Sequence, residues 1–512
     1  MDNNKTPLQN LFDNRTETLN GDEAFKSTNS NLIDILFQVN WLKTHTDEIA
    51  IGDSRKERLF AMFMRDCRYG IGARNVGRQL LKLTKASFEE ILLCGRGDDI
   101  WKMYSDDELT SKEMADFYYK ECAAGNELVK KWMPRWTPRN TREVSRQDAE
   151  LELEHESHTI ASNLKNADEL SKLRFEDGVS SAEETAKPAS ASKTSNKVKK
   201  EYTEHQLRRM LVAKKLAKMW NMNKQQYKKF VKCDTVETKL SHKRWDEVAF
   251  EHVPSLAMIK YARTFISKPE FAERYKQYLD DVRSGVKKMN TSVATVYDIY
   301  KARHTEGFDP DIWFDKMPKI DISAMVICDT SGSMSCNDAK GKALSICHYL
   351  SKCSSYCQNQ FITFSERPEL MNITGDTYND QIDSIWGSNW DMNTDLGAVA
   401  RLLQNLKGDL PDWLIIVSDM QFDRGSTQEM HELMNLWHKN GWKTKIVWWN
   451  LSEINATTPE TVEGGNIFMS GLSPMLLKYL SVGFDADRFL DELLLEYQKN
   501  IKGDYIEELP NE

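Results

Sequence analysis

Beyond Lys319 the chain changes its hydrophobic rhythm, and no other feature restricts the fold as strongly. Short apolar runs at Ala324–Cys328, Phe361–Phe364, Trp413–Val417, Ile446–Trp449 and Ile467–Met469 alternate with helical patterns near 339–353, 395–406, 427–439 and 473–480. A short unbroken apolar run fits a strand buried on both faces, and strands alternating with helices build a parallel sheet with helices on both sides. An α/β doubly wound domain is therefore expected over residues 318–482.

Upstream the period is that of a helix. Over residues 31–140 apolar side chains recur as Leu59, Met62 and Phe63, then Val76, Leu80 and Leu83, then Phe88, Ile91 and Leu92, with Gly70, Gly72, Gly95 and Gly97 as breaks. The same spacing resumes over residues 201–305 with Leu207, Met210, Leu211, Leu216, Met219 and Trp220, and later Phe265, Phe271, Tyr275, Tyr278 and Val282. Together these stretches read as an all-α helical-repeat (HEAT-like) region. Between them, residues 141–200 carry the acidic run Asp148–Glu156 and a Ser-, Ala- and Lys-rich part around Pro188–Lys193, with few bulky side chains to offset ordering entropy. A disordered charged insertion is expected there. Residues 1–30 are polar and read as a flexible N-terminus; residues 483–512 read as a C-terminal helix and tail, in which the amphipathic stretch Phe489 to Tyr497 packs back on the body.

A chain of 512 residues has room for about three domains. No apolar run approaches the roughly 20 residues that span a bilayer, and the opening MDNNKTPLQN lacks the basic and apolar regions of a signal peptide. The expectation is a cytoplasmic protein with no membrane partner. Nine cysteines, an odd number scattered along the chain, do not make a disulfide framework. Cys347, Cys353 and Cys357, with His348 nearby, match no CxxC pair and read as structural thiols. The net charge of −9 hides a segregation: Lys197 to Arg244 holds fifteen Lys and Arg against four acids, whereas Asp321 to Leu480 holds eleven against nineteen. The first segment would attract polyanions and the second repel them.

The first apolar run ends in Asp329-Thr-Ser-Gly-Ser333, one carboxylate and two hydroxyls within five residues. Hard cations such as Mg²⁺ take oxygen ligands, commonly few carboxylates with water or a ligand oxygen in the remaining positions. Parallel α/β sheets bind ligands where loops converge at the carboxyl ends of strands. Two further loops qualify: Ser418-Asp419 after Trp413–Val417, and Asn393-Thr394-Asp395 before a helical pattern at Leu396, Val399, Ala400 and Leu403. The plainer role for Asp329 and Asp419 is helix capping.

These residues resemble the DxSxS, Thr and Asp elements of the von Willebrand factor type A domain over roughly residues 320–480. The resemblance implies that Asp329, Ser331, Ser333, Thr394 and Asp419 form a metal-ion-dependent adhesion site (MIDAS) for Mg²⁺, with Mn²⁺ as the other candidate. It also implies an open coordination position that accepts an acidic group from a protein partner, and no catalytic step.

A second resemblance lies in the helical region. Arg65-Asp-Cys-Arg-Tyr-Gly-Ile-Gly-Ala-Arg74, then Gly95-Arg-Gly-Asp-Asp99 and Lys131-Trp-Met-Pro134, resemble the TROVE module of the Ro autoantigen family, whose members also join a helical region to a type A domain. The resemblance implies a ribonucleoprotein component whose helical ring binds single-stranded ends of misfolded RNA and structured small RNA. Here the helical portion is short for such a ring and is interrupted by the acidic insertion.

RNA binding requires clustered cations to neutralise phosphates. One cluster holds Arg65, Arg68, Arg74 and Arg78; a second includes Arg208, Arg209, Lys214, Lys215 and Lys218, with Trp220, Tyr227 and Phe230 interleaved as possible stacking platforms. Each has an ordinary alternative. Basic runs are often solvated helix faces, aromatic stripes are often core, and an Arg can pair with Asp66, Asp98 or Asp99 to fix a helix-to-helix turn. Arg74 and Arg78, spaced i,i+4, share a helical face. For enzymes the sequence offers little: no Walker A, no DxD nucleophile, no Gly-x-Ser-x-Gly elbow, and His348, His431 and His438 lack nucleophile partners. A non-enzymatic protein is expected, either RNA-binding with a metal-bearing domain or a protein-interaction scaffold without RNA.

Overall fold

A computed structural model of the chain describes residues 14–95, 221–230, 235–291, 293–364, 367–387, 393–406, 408–462, 466–472 and 486–507, with isolated positions between 99 and 218. Backbone contacts divide the chain into two compact units, residues 1–95 with 239–512, and residues 96–238. The insertion expected over 141–200 and the helix expected at 473–480 lie outside the described residues.

The first unit is organised by a six-stranded sheet in the order β5–β4–β3–β6–β7–β8. Its strands are β3 (Ala324–Asp329), β4 (Gln360–Phe364), β5 (Leu370–Asn372), β6 (Trp413–Ser418), β7 (Lys445–Asn450) and β8 (Ile467–Ser470). Neighbours run parallel, with Val326 opposite Ile415 and Ile415 opposite Val447, except that β5 is antiparallel to β4. Every residue of β3 and β6 is buried, which is why both read as unbroken apolar runs rather than alternating ones. The sheet is mixed rather than wholly parallel. The unforeseen β5, Leu-Met-Asn, has three residues, none of them buried, and is too short to show a period.

Among the described residues the α-helices ahead of β3 are α1 (Asn31–Phe37), α2 (Arg55–Arg65), α3 (Arg74–Leu83), α4 (Phe88–Cys94), α5 (Lys224–Phe230), α6 (Val236–Ser241), α7 (Ser255–Phe265), α8 (Pro269–Arg283), α9 (Val296–Ala302) and α10 (Pro310–Asp315). Those after β3 are α11 (Ala339–Cys353), α12 (Tyr378–Trp386), α13 (Leu396–Leu403), α14 (Ser426–Lys439) and α15 (Ala486–Glu507). A helical region and an α/β domain thus share one chain. Phe271, Tyr275, Tyr278 and Val282 form the buried face of α8, where Phe271 and Tyr275 pack against Phe250 and Phe265. In α5, which belongs to the second unit, Tyr227 is buried while Lys224, Lys228 and Lys229 are exposed. Tyr227 is therefore core and cannot serve as a stacking platform there.

Residues 14–30 correct the expectation of a flexible terminus. β1 (Arg15–Glu17) and β2 (Glu23–Phe25) form an antiparallel hairpin, turning at Gly21 with φ +86°. The hairpin is held by tertiary bonds: Thr18 Oγ1 donates to Phe422 O at 2.7 Å, and Phe25 and Thr458 exchange backbone hydrogen bonds at 2.8 Å. Strands this short carry no periodicity, so the sequence pattern could not announce them.

The α2–α3 pair explains the glycine-rich turn at 70–72. A Cβ on Gly70 would meet Phe63 O at 1.9 Å, and Gly72 has φ +72°. A Cβ on Gly77 would lie 2.7 Å from Arg65 Cα, so α3 crosses α2 in near-backbone contact. α15 packs on this pair, as expected for Phe489 to Tyr497: Tyr497 meets Phe63 edge-on at 5.5 Å and donates to Asp66 Oδ2 at 3.2 Å. α1 covers the edge strand β8, with Phe37 against Phe468 at 5.5 Å and Asn40 Nδ2 donating to Asn450 O at 2.9 Å.

Candidate metal centre

The position of the site follows from strand order. The chain passes from β3 outward to β4 on one side, and from β6 through β7 to β8 on the other, so the connections diverge between β3 and β6. The crevice at the carboxyl ends of these two strands is where open α/β sheets take ligands. Asp329 closes β3 and Asp419 follows β6.

At this crevice, loops from both strands interlock. Ser331 N donates to Asp329 Oδ1 at 2.9 Å, Ser331 Oγ lies 3.0 Å from Ser333 Oγ, and Ser333 in turn bonds Asp419. Ser418 Oγ donates to Asp329 Oδ2 and accepts from Met420 N, which ties the β6 loop to the β3 carboxylate. Asp419 Oδ1 also accepts from Gln421 N at 3.2 Å. Asp329, Thr330, Ser331 and Asp419 are all buried.

Thr394 arrives from a third loop. Its backbone N donates to Asp423 Oδ2 and its carbonyl accepts from Asp423 N, both at 2.9 Å, so the segment before α13 is bound to the loop after β6. The helix itself is capped by Asp395, which accepts from Ala398 N at 2.9 Å. Capping is thus the role of Asp395, whereas Asp329 and Asp419 cap nothing: the plainer alternative for those two does not hold. The Thr394 hydroxyl accepts from Asn20 Nδ2 of the N-terminal hairpin at 3.3 Å.

The donor set suits a hard cation. Burial, followed by the neighbouring Asp419 charge, pushes the Asp329 carboxyl well above the ordinary carboxylate range. Burial also raises Asp419, against hydrogen bonds from Ser333 and Gln421 N that favour its charged form. Among the described residues no Lys, Arg or His pairs with either carboxylate. Two buried carboxylates flanked by hydroxyls, with no basic partner, present oxygen ligands and uncompensated negative charge together. No group of three or more His, Cys, Asp or Glu that could hold a metal occurs among the described residues, so any site here depends on hydroxyl oxygens as well.

Other titratable candidates have structural partners. His348 is buried, bonds Gln381 Oε1 at 2.8 Å and stacks on Phe314 at 4.4 Å. His438 bonds Thr444 O at 2.8 Å, and His431 lies 3.3 Å from Glu460 Oε2. Cys347 and Cys357 are buried and Cys353 half-buried; burial pushes the Cys353 and Cys357 thiols up, away from thiolate character.

The basic candidates separate. Arg65 is buried. Arg68 is half-buried, its Nη2 donating to Leu93 O at 2.6 Å and its Nε 3.6 Å from Asp66, so it fixes the turn between helices. Arg78 folds back on α3, donating to Arg74 O at 2.9 Å and Asn75 Oδ1 at 3.0 Å. Arg74 is exposed, and Lys218 is exposed in the second unit. Arg208, Arg209, Lys214 and Lys215 lie outside the described residues.

Ser418, Asp423 and Asn20 were not assigned from sequence. Ser418 adjoins Asp419 and was within reach of such a reading. Asn20 is 374 residues from Thr394 and left no local trace.

Comparison with known proteins finds two domain families, each described only as a domain of unknown function: one (DUF2828) matches residues 183–317 and the other (DUF7788) residues 323–503. The boundary between them falls just before β3. An uncharacterized protein of Acanthamoeba polyphaga mimivirus is 23% identical over 311 residues, covering 52% of this chain and 54% of that protein, so the match spans about half the length of this curated relative. Among solved structures, the crystal structure of the Deinococcus radiodurans RO (RSR) protein aligns over 85% of this chain and 86% of its own, at 12% identity and a TM-score of 0.35. No described helix is long and apolar enough to cross a membrane.

Proposed function

We propose that residues 318–482 act as a von Willebrand factor type A domain, in which Asp329, Ser331, Ser333, Thr394 and Asp419 bind Mg²⁺ or Mn²⁺ and an acidic group of a protein partner completes the coordination. The observation that carries this reading is the hydrogen-bonded cluster of two buried carboxylates and the hydroxyls of Ser331, Ser333 and Ser418 at the divergence of β3 and β6, with the loop bearing Thr394 bonded to Asp423 of the loop after β6. The ion would neutralise the paired carboxylates and act as a Lewis acid toward the incoming oxygen. Ser331, Ser333 and Thr394 would supply neutral oxygens. The site is read as one for binding rather than catalysis.

The test is thermal melting with and without cation. Saturating Mg²⁺ or Mn²⁺ should stabilise the folded state by mass action, about 2.7 kcal/mol at one hundred times Kd. Asp329→Ala should show none of it, and equal stabilisation of both proteins would remove the site.

A second component, RNA binding by the basic helices, is favoured by one feature of α3. Arg74 is its first residue and Ala73 its uncapped N-terminal neighbour, with no acid in the first turn. Among the described residues the Arg74 guanidinium has no partner. The positive end of the helix and a free guanidinium coincide, a local field suited to phosphate. Filter binding at low salt to single-stranded RNA tests it. Arg74→Glu should weaken binding and reduce the salt dependence, whereas Asp329→Ala should leave binding intact; no affinity in the wild type would end this component.

A further inference from the structure

We propose that Asn20, at the tip of the N-terminal hairpin, is a positioning residue of the cation site; this rests on the reading of that site given above. The hairpin docks on the loop after β6 through bonds concentrated at its turn. Asn20 Nδ2 donates to Gln421 O at 2.9 Å and to Thr394 Oγ1 at 3.3 Å, while Leu19 N donates to Gln421 Oε1 at 2.8 Å. One amide therefore bridges the two loops that bring Thr394 and Asp419 to the site.

The neighbouring residue fixes that placement. Asp22 accepts from Gly425 N at 2.7 Å and Thr427 N at 3.0 Å, and also bonds the Thr427 hydroxyl. The N-cap of α14 is Gly425, with φ +80° and no side chain, so the cap is supplied by the hairpin from across the sequence. Asn20 is thus held on a clamped element rather than a loose tip.

The chemistry at Thr394 gives this contact its meaning. A threonine hydroxyl has two lone pairs and one proton. The Asn20 amide occupies one lone pair, orienting the hydroxyl and leaving the other for a cation, and outer-shell donors of this kind set ligand geometry and affinity.

The experiment is Mn²⁺ titration of the full chain, by calorimetry and by melting temperature, on wild type, Asn20→Ala, Asn20→Asp and Asp329→Ala. Asn20→Ala and Asn20→Asp, which both lose the amide donor to Thr394 Oγ1, should each bind about tenfold more weakly, with Leu19→Ser unchanged and with metal-free melting close to wild type. A purely structural role for the hairpin would instead lower metal-free stability in step with affinity. Wild-type affinity in both Asn20 variants, or weakening matched by a loss of metal-free stability, would overturn the proposal while leaving the cation site in place. No Mn²⁺ binding by the wild type would instead overturn the site and this inference with it. Melting in the absence of metal shows whether the variants fold.

Discussion

The crevice between β3 and β6 and the α2–α3 helix pair both concentrate charged and small residues in a short stretch of sequence, yet the structure uses them in opposite ways. In the crevice two carboxylates are buried together without a basic partner among the described residues. Across the helix pair, Arg68 and Arg78 are bonded to carbonyls or side chains of their own region, and the glycines serve close approach. Uncompensated charge that remains buried must be stabilised by something outside the chain or by a proton, whereas charge that is paired locally has already been used. The cost of burial, more than the density of charge, separates a ligand site from a structural motif.

That contrast can be broken most severely at Asp329. Its isosteric replacement, Asp329→Asn, should abolish the cation response and yet raise the stability of the cation-free protein at neutral pH by roughly 1–3 kcal/mol, because an uncompensated buried charge is removed. Chemical denaturation with and without Mg²⁺ checks both halves; loss of stability without cation would mean that the carboxylate is already satisfied. On the helical side, Gly77→Ala should cost about 1–3 kcal/mol through overpacking against the Arg65 backbone. A melting temperature equal to wild type would show that the helix crossing is looser than this geometry requires.

His348 supplies a prediction of similar size with a defined pH window. Burial holds its imidazole down at about 4, below the ordinary 6.5. The unfolded chain therefore takes up a proton that the folded chain resists, so the stability contribution is complete above about 6.5 and is lost as the pH falls towards 4. Relative to a His348→Gln variant, the wild type should lose about 3 kcal/mol across that window; parallel pH profiles would contradict the assignment. The smallest effect is expected at the surface. Arg74→Glu should lower RNA affinity only severalfold at moderate salt, while Arg68→Gln should act mainly through stability, since its guanidinium is engaged by Leu93 O and lies near Asp66. Equal loss of RNA binding without loss of stability in both would erase the distinction drawn between them.

Much of this was legible from the chain. β3, β6 and β7 announced themselves as apolar runs because each is buried along nearly its whole length, and α11 was anticipated at its observed bounds. Asp329, Ser331, Ser333 and Asp419 could be singled out because each follows a buried strand, where topology forces loops together. The hairpin at 15–25 and strand β5 could not, since three-residue strands have no period and owe their shape to distant partners. For the same reason Asn20 and the capping of α14 by Asp22 became visible only when residues some four hundred positions apart were brought into contact. The arginines could not be sorted from sequence, which records a charge but not its partner. Arg65 is buried where the periodic pattern alone left it open to solvent.

Direct counting of bound metal is the sharpest trial of the cation site. Equilibrium dialysis of the full chain against Mn²⁺, followed by metal analysis, should find one ion per wild-type chain and none on Asp329→Ala or Asp419→Ala. Equal occupancy in all three proteins, or none in the wild type, would contradict the assignment of these two carboxylates as the floor of a metal centre.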